Sequence, residues 1–191
     1  MPVTLIFATC NEQKFSESSE ILTGHGINLR QLKVEILEIQ TEDVSALVER
    51  KTKDAYKSVG RALFVEHTSL HIDYINQFPA GHTRVFLSYF GEDKICELFG
   101  VDGRKNATAI TTIGYCDGRT VREFQGKIRG TIAPTPGGNG TPWGAFGFNR
   151  IFIPEGSTKT LSEMGMTAKN AISMRKLAID GLVNFVTTVA P

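Results

Sequence analysis

The sequence predicts an α/β fold with a mixed sheet. Apolar, β-forming runs of strand length alternate with longer stretches of helical apolar spacing. Between two extended runs lies Asp117-Gly118, a strong hairpin signal. Of the 191 residues 41% are apolar and 21% charged, so the chain can bury a real core.

The elements follow in order. Val3 to Ala8 is apolar apart from Thr4 and reads as a buried strand. Thr9 or Asn11 can cap the next helix, which carries Phe15, Ile21 and Leu22 and stops near Gly24-His25-Gly26. A second strand is expected between Leu29 and Ile39. Asp43 then caps a helix running to about Val59, with Val44, Leu47, Val48 and Ala55 as its apolar stripe. Lys51 falls on that stripe, three and four residues beyond Val48 and Leu47. Ala62 to Glu66 reads as a strand, His67-Thr68-Ser69 as a turn, and Leu70 to Tyr74 as a short extended piece. Helices are expected over 82–90 and 93–99. Ala107 to Cys116 and Arg119 to Ile132 form the hairpin. Pro134, Pro136, Pro142 and five glycines make 134–147 a loop. Arg150 to Ile153 returns to strand. A final long helix starts at Thr167, with Arg175 inside a stripe that runs from Ala168 to Val186.

Composition excludes several classes. The net charge is +1, from 21 Lys+Arg and 20 Asp+Glu, so nothing global draws the chain to nucleic acid or an anionic membrane. No apolar run approaches the length of a span. The first residues lack the basic and long apolar regions of a signal peptide. Cys10, Cys96 and Cys116 are odd in number and far apart, which suggests neither a disulfide framework nor a zinc site. A single cytoplasmic domain over residues 1–191 is expected.

Four features could carry chemistry. Thr9-x-Asn11-x-x-Lys14 follows a strand and opens a helix, where unpaired N–H groups and the dipole suit phosphate. Lys14 sits where that dipole disfavours a cation, and an anionic ligand would remove the conflict. Taken alone, the segment reads better as an ordinary capped helix with a solvated lysine. Lys51 and Arg175 place charge on apolar stripes, which calls for a partner or a wet cleft. Snorkelling of the stem serves Lys51 as well; for Arg175 a cleft or ion pair fits better. The acids Glu38, Glu42, Asp43 and Glu66 could supply one or two carboxylates to Mg²⁺, although by spacing alone they are scattered surface groups. The Gly137-Gly138-Asn139-Gly140 loop leads into Trp143 and Phe146, where an aromatic could stack on a base, or simply enter the core. No nucleophilic triad is visible around His25, His67, His71 or His82.

Together these features resemble the inosine triphosphate pyrophosphatase family, the non-canonical purine nucleoside triphosphate pyrophosphatases. Thr9, Asn11 and Lys14 match its first motif, Glu38-Ile39-Gln40 its glutamate-x-glutamine, and Lys51 its helix lysine. Phe146-Gly147-Phe148-Asn149 resembles Phe-Gly-aromatic-Asp, and Lys169 to Arg175 resembles Lys-Asn-x-x-Ser-His-Arg. Phe124-Gln125-Gly126 and Gly130-Thr131-Ile132 also fit. The resemblance implies an elongated mixed-sheet α/β domain of two lobes with a central nucleotide cleft, usually a homodimer. It implies hydrolysis of a nucleoside triphosphate to monophosphate and pyrophosphate. Thr9, Asn11, Lys14 and Lys51 would hold phosphates, and Glu38 would bind Mg²⁺ or Mn²⁺. Phe146 would stack on the purine, and Lys169 and Arg175 would contact the nucleotide.

The departures fall in particular places. The family has an acid-Asp-Ser/Thr-Gly-Leu run where this chain has Glu66-His67-Thr68-Ser69-Leu70, so His67 replaces the aspartate credited with water activation. Imidazole can take a proton near neutral pH but is a poorer ligand for hard Mg²⁺. Strand alternation sends Glu66 to the opposite face from His67. In the base pocket Asn149 replaces Asp, and Met174 replaces His. Asn149 can donate or accept, while Met174 deletes a donor. Three readings follow: a nucleotide pyrophosphohydrolase with altered base or substrate choice, using His67 and Lys14; a non-catalytic nucleotide-binding relative, or a hydrolase of another nucleotide such as a monophosphate; and an interaction protein keeping only the fold.

Overall fold

The computed structural model describes residues 3–138 and 147–189. Its elements are β1 (Thr4–Ala8), α1 (Glu12–Gly24), β2 (Asn28–Leu32), α2 (Val44–Val59), β3 (Leu63–Ile72), a 3-10 helix (Asp73–Ile75), β4 (Pro79–Ala80), α3 (Thr83–Phe90), α4 (Glu92–Phe99), β5 (Asn106–Cys116), β6 (Val121–Ile132), β7 (Phe152–Pro154), α5 (Met166–Ile172) and α6 (Met174–Val189). The strands form a mixed sheet in the order β2-β1-β3-β5-β6-β7, with β4 paired to β3. β1 runs parallel to β2 and β3, the arrangement that helical crossovers produce. β3–β4 and β6–β7 are antiparallel. Among the described residues no helix is long and apolar enough to cross a membrane.

The chain divides into two compact units. The first comprises Met1–His67, Thr111–Gly126 and Met174–Pro191. Its core joins α1 and α6 to the sheet through Phe7, Leu22, Phe64, Ile113, Ile179 and Leu182. Phe7 and Phe64 stack with ring centroids 4.4 Å apart, at the register position where β1 meets β3. Ile113 enters this core, so alternation turns Gly114 to the other face of the sheet. There a Cβ on Gly114 would lie 2.0 Å from Thr52 Oγ1 of α2, so only glycine allows that helix so close.

The second unit comprises Thr68–Ile110 and Lys127–Ser173. Phe78 meets Phe86 edge-on, and Phe86 also packs on Phe90 and Phe99. Thr83 Oγ1 accepts from Leu70 N at 2.8 Å and donates to the Ala80 carbonyl at 2.7 Å. Arg150 bonds Glu92 at 2.7 Å and the Gly137 carbonyl at 3.2 Å, which fixes the start of the glycine loop.

Three sequence expectations need correction. His67-Thr68-Ser69 is not a turn, because β3 is continuous from Leu63 to Ile72. Sheet pairing on both sides and the Ser69–His71 side-chain bond at 2.9 Å keep this polar run extended. The C-terminal helix is two helices, broken at Ser173 with φ −69 and ψ 153. That is helix-cap geometry, and serine favours it. β2 ends at Leu32, well short of Ile39. The expected hairpin is present, and Asp117 Oδ1 accepts from the amides of Arg119 and Thr120 to close its turn.

Candidate active site

β1 ends in Ala8, and the chain turns at once into α1. Thr9 Oγ1 accepts from Asn11 N at 3.1 Å, and Asn11 Oδ1 accepts from Lys14 N at 2.9 Å. Both side chains are therefore occupied in shaping the helix start. Lys14 lies in the first turn, its side chain 16% exposed, with Nζ 3.2 Å from Glu66 Oε1. The anion that its position demands is thus supplied by the protein itself. Burial pulls the Lys14 ammonium below its usual pKa; Glu66 opposes this, while Lys51 and Arg175 reinforce it.

Lys51 comes from α2. Its Nζ donates to Glu38 Oε1 at 2.6 Å and to the backbone carbonyl of Glu66 at 3.1 Å. Burial pushes the Glu38 carboxyl up, but Lys51, with His67 and Lys14, outweighs it and holds Glu38 below the usual carboxylate range. Glu38 therefore offers an ionised carboxylate, and its side chain is 32% exposed.

Glu66 and His67 are neighbours on β3, and alternation separates them. The Glu66 side chain is fully buried and faces Arg175 of α6. Arg175 Nε donates to Glu66 Oε2 at 2.8 Å and Nη2 to Oε1 at 2.9 Å, while Nη1 bonds Glu17 of α1. Of the two settings expected for Arg175, the structure shows the ion pair. Burial works against its charge, but Glu66 and Glu17 together hold the guanidinium above its ordinary pKa.

His67 is 7% exposed, and its Nε2 is buried without a hydrogen-bond partner. Burial lowers its pKa to about 4; Lys14 and Lys51 add to this, and Glu38 and Glu66 oppose it. The imidazole is neutral at pH 7, its Nε2 is without a hydrogen-bond partner, and the charges of Lys14, Lys51, Glu38 and Glu66 all act on it. A buried polar atom left in this way is costly unless a ligand or water completes it.

The first unit thus gathers Thr9, Asn11, Lys14, Glu38, Lys51, His67 and Arg175, with Glu17 and Glu66 added. Sequence reasoning assigned Glu17 no role and set Glu66 among scattered acids. Met174 also belongs to this unit, 2% exposed at the start of α6. Asn149 and Lys169 belong to the second unit, at 3% and 4% exposure, and Asn149 Nδ2 is buried without a partner. Phe146 lies outside the described residues.

Comparison with known proteins gives one consistent result. The Ham1 family model matches residues 5–185. A dITP/XTP pyrophosphatase of Methanopyrus kandleri is 32% identical over 178 residues, 92% of each chain. An inosine triphosphate pyrophosphatase of Yarrowia lipolytica is 34% identical over 192 residues, 98% of each. Among solved structures, a HAM1 protein from Coxiella burnetii superposes with a TM-score of 0.79 at 22% identity, covering 98% of this chain and 100% of that one.

Proposed function

The chain belongs to the Ham1 family, and from that premise we propose that it is a nucleoside triphosphate pyrophosphohydrolase with altered base or substrate choice. Water adds to phosphorus, the bond between the α- and β-phosphates breaks, and monophosphate and pyrophosphate leave. The observation that carries this reading is the buried, unpartnered Nε2 of His67 beside Lys14, Lys51 and Glu38.

Lys14 and Lys51 supply positive charge for a polyphosphate, and the start of α1 adds its amide dipoles. His67 accepts the proton that water loses. In the free protein His67 is too weak a base for this, because burial and both lysines depress it. A bound polyphosphate offsets the lysine charges, which raises the proton affinity of His67 where it is needed.

Glu38 fits a divalent cation, Mg²⁺ or Mn²⁺, that draws its other ligands from water and phosphate. Among the described residues no three His, Cys, Asp or Glu cluster as a metal cage. When bound, the cation would neutralise phosphate charge. Thr9 and Asn11 act by holding the helix start in shape. Asn149, Met174, Lys169 and Phe146 are proposed to set base choice. An Asn149 amide can donate where a carboxylate can only accept, so bases with a ring-nitrogen acceptor become candidates. We further propose a cytoplasmic homodimer.

A panel of purine and pyrimidine mono-, di- and triphosphates with Mg²⁺ or Mn²⁺ tests the reading. Pyrophosphate release from a triphosphate, lost in His67→Ala, is the expected result. Nucleotide binding without turnover of any member would leave only a binding protein. Light scattering checks the dimer.

A further inference from the structure

We propose that Glu66 is a positioning residue that holds both phosphate lysines, Lys14 and Lys51, and is itself locked in place by Arg175. The inference rests on the reading that these lysines serve a polyphosphate. Glu66 reaches Lys14 through Oε1 at 3.2 Å and Lys51 through its backbone carbonyl at 3.1 Å. Arg175 grips both carboxylate oxygens, at 2.8 and 2.9 Å. One residue of β3 thereby joins α1, α2 and α6.

The physical need is plain. Lys14 is nearly buried, sits at the wrong end of a helix dipole, and feels Lys51 and Arg175 as well. Each of these effects favours losing the proton. The groups that bear on Lys14 or its neighbours are Glu66 and His67 from β3, Lys51 from α2, Arg175 from α6, Glu17 from α1 through Arg175, and Glu38 through Lys51. Of these, Glu66 is the carboxylate in contact with Lys14. A buried carboxylate would be costly alone, and the two-toothed grip of Arg175 makes it tolerable. Arg175 in this arrangement acts through Glu66 rather than on substrate.

The test compares wild type, Glu66→Gln and Glu17→Gln as full-length proteins. An amine-acylating ester labels Lys14 across pH, and peptide mass spectrometry reads the midpoint. Glu66→Gln is expected to lower that midpoint by about one pH unit or more. Glu17→Gln, which alters the same buried network from the far side of Arg175, is expected to move it by less than half as much. With a triphosphate substrate, KM of Glu66→Gln should rise with pH about a unit earlier than in wild type, with kcat less affected. A midpoint unmoved in Glu66→Gln, or moved equally by Glu17→Gln, overturns the proposal. If Glu66→Gln fails to fold, Glu66→Asp carries the test. It keeps the charge but shortens the reach, so an unmoved Lys14 midpoint there also overturns the proposal, and a lowered one supports it. The labelling needs no turnover, so failure here and failure of the pyrophosphatase reading are separately visible.

Discussion

Replacing Arg175 by methionine separates two accounts of this residue. The resemblance places it on the nucleotide, whereas the geometry buries it at 2% exposure between Glu66 and Glu17, which are 0% and 2% exposed. Arg175→Met would leave two buried carboxylates without the cation between them. Breaking a buried ion pair from one side typically costs about 3–5 kcal/mol. Lys14 remains 3.2 Å from Glu66 Oε1 and softens the loss, which favours the lower half of that range. For a chain of this size such a loss lowers Tm by about 6–20 °C. Urea unfolding at pH 7 measures it directly. A loss under about 1 kcal/mol at pH 7, together with a large rise in KM, would refute this reasoning. It would return Arg175 to the substrate.

Three further outcomes are expected. His67→Asp should raise pyrophosphate release from triphosphates by about 100-fold with Mg²⁺, the low end for a well-placed general base; no gain would mean that Asn149 and Met174 restrict the reaction too. The His67 ring should titrate near pH 4 by NMR in the free protein and higher with tripolyphosphate bound. Because its folded pKa of about 4 lies below the ordinary 6.5, the unfolded chain binds the proton first, so stability should fall by up to about 3 kcal/mol as the pH drops through that window. Gly126→Ala places a Cβ 2.0 Å from the Met174 carbonyl oxygen and 2.7 Å from Ala178 N, and should cost about 1–3 kcal/mol in urea unfolding, since a helix backbone cannot give way as a side chain can.

The local signals in the sequence were legible where one element decides its own shape. Asn11 and Asp43 cap the helices that their positions predict, because an Asx side chain reaches the amide three residues on without help from the rest of the fold. Asp117 closes the hairpin for the same reason. Local reasoning failed at His67 to Ser69. A polar triplet after an apolar run looks like a turn, yet pairing with distant strands keeps it extended. The break at Ser173 was hidden by an apolar pattern that continues on both sides of it, although Ala171 and Ile172 are exposed. For the site, the lysines stood out because charge on an apolar stripe is anomalous. Their partner did not: Glu66 meets Arg175 across 109 positions, and no spacing rule reaches that far.

The charges of the first unit explain why a nearly neutral chain can hold a polyanion. Lys14, Lys51 and Arg175 face Glu17, Glu38 and Glu66, so the cluster carries little net charge before substrate arrives. Attraction therefore cannot come from a bare cationic patch; it requires that some pairing be exchangeable. The exposures identify which. Glu17 and Glu66 are 2% and 0% exposed and bound to a guanidinium that burial immobilises, so they stay. Glu38 is 32% exposed and holds Lys51 through a contact of 2.6 Å, so it can change partners. If Glu38 turns to a divalent cation, Lys51 keeps its bond to the Glu66 carbonyl and its charge becomes available to phosphate. Lys14 stays paired with Glu66 at 3.2 Å, its side chain 16% exposed. In the proposed mechanism the fixed pairs would hold the lysines in position while the exchangeable pair admits the ligand, so that the cost of positioning is met within the folded protein before binding.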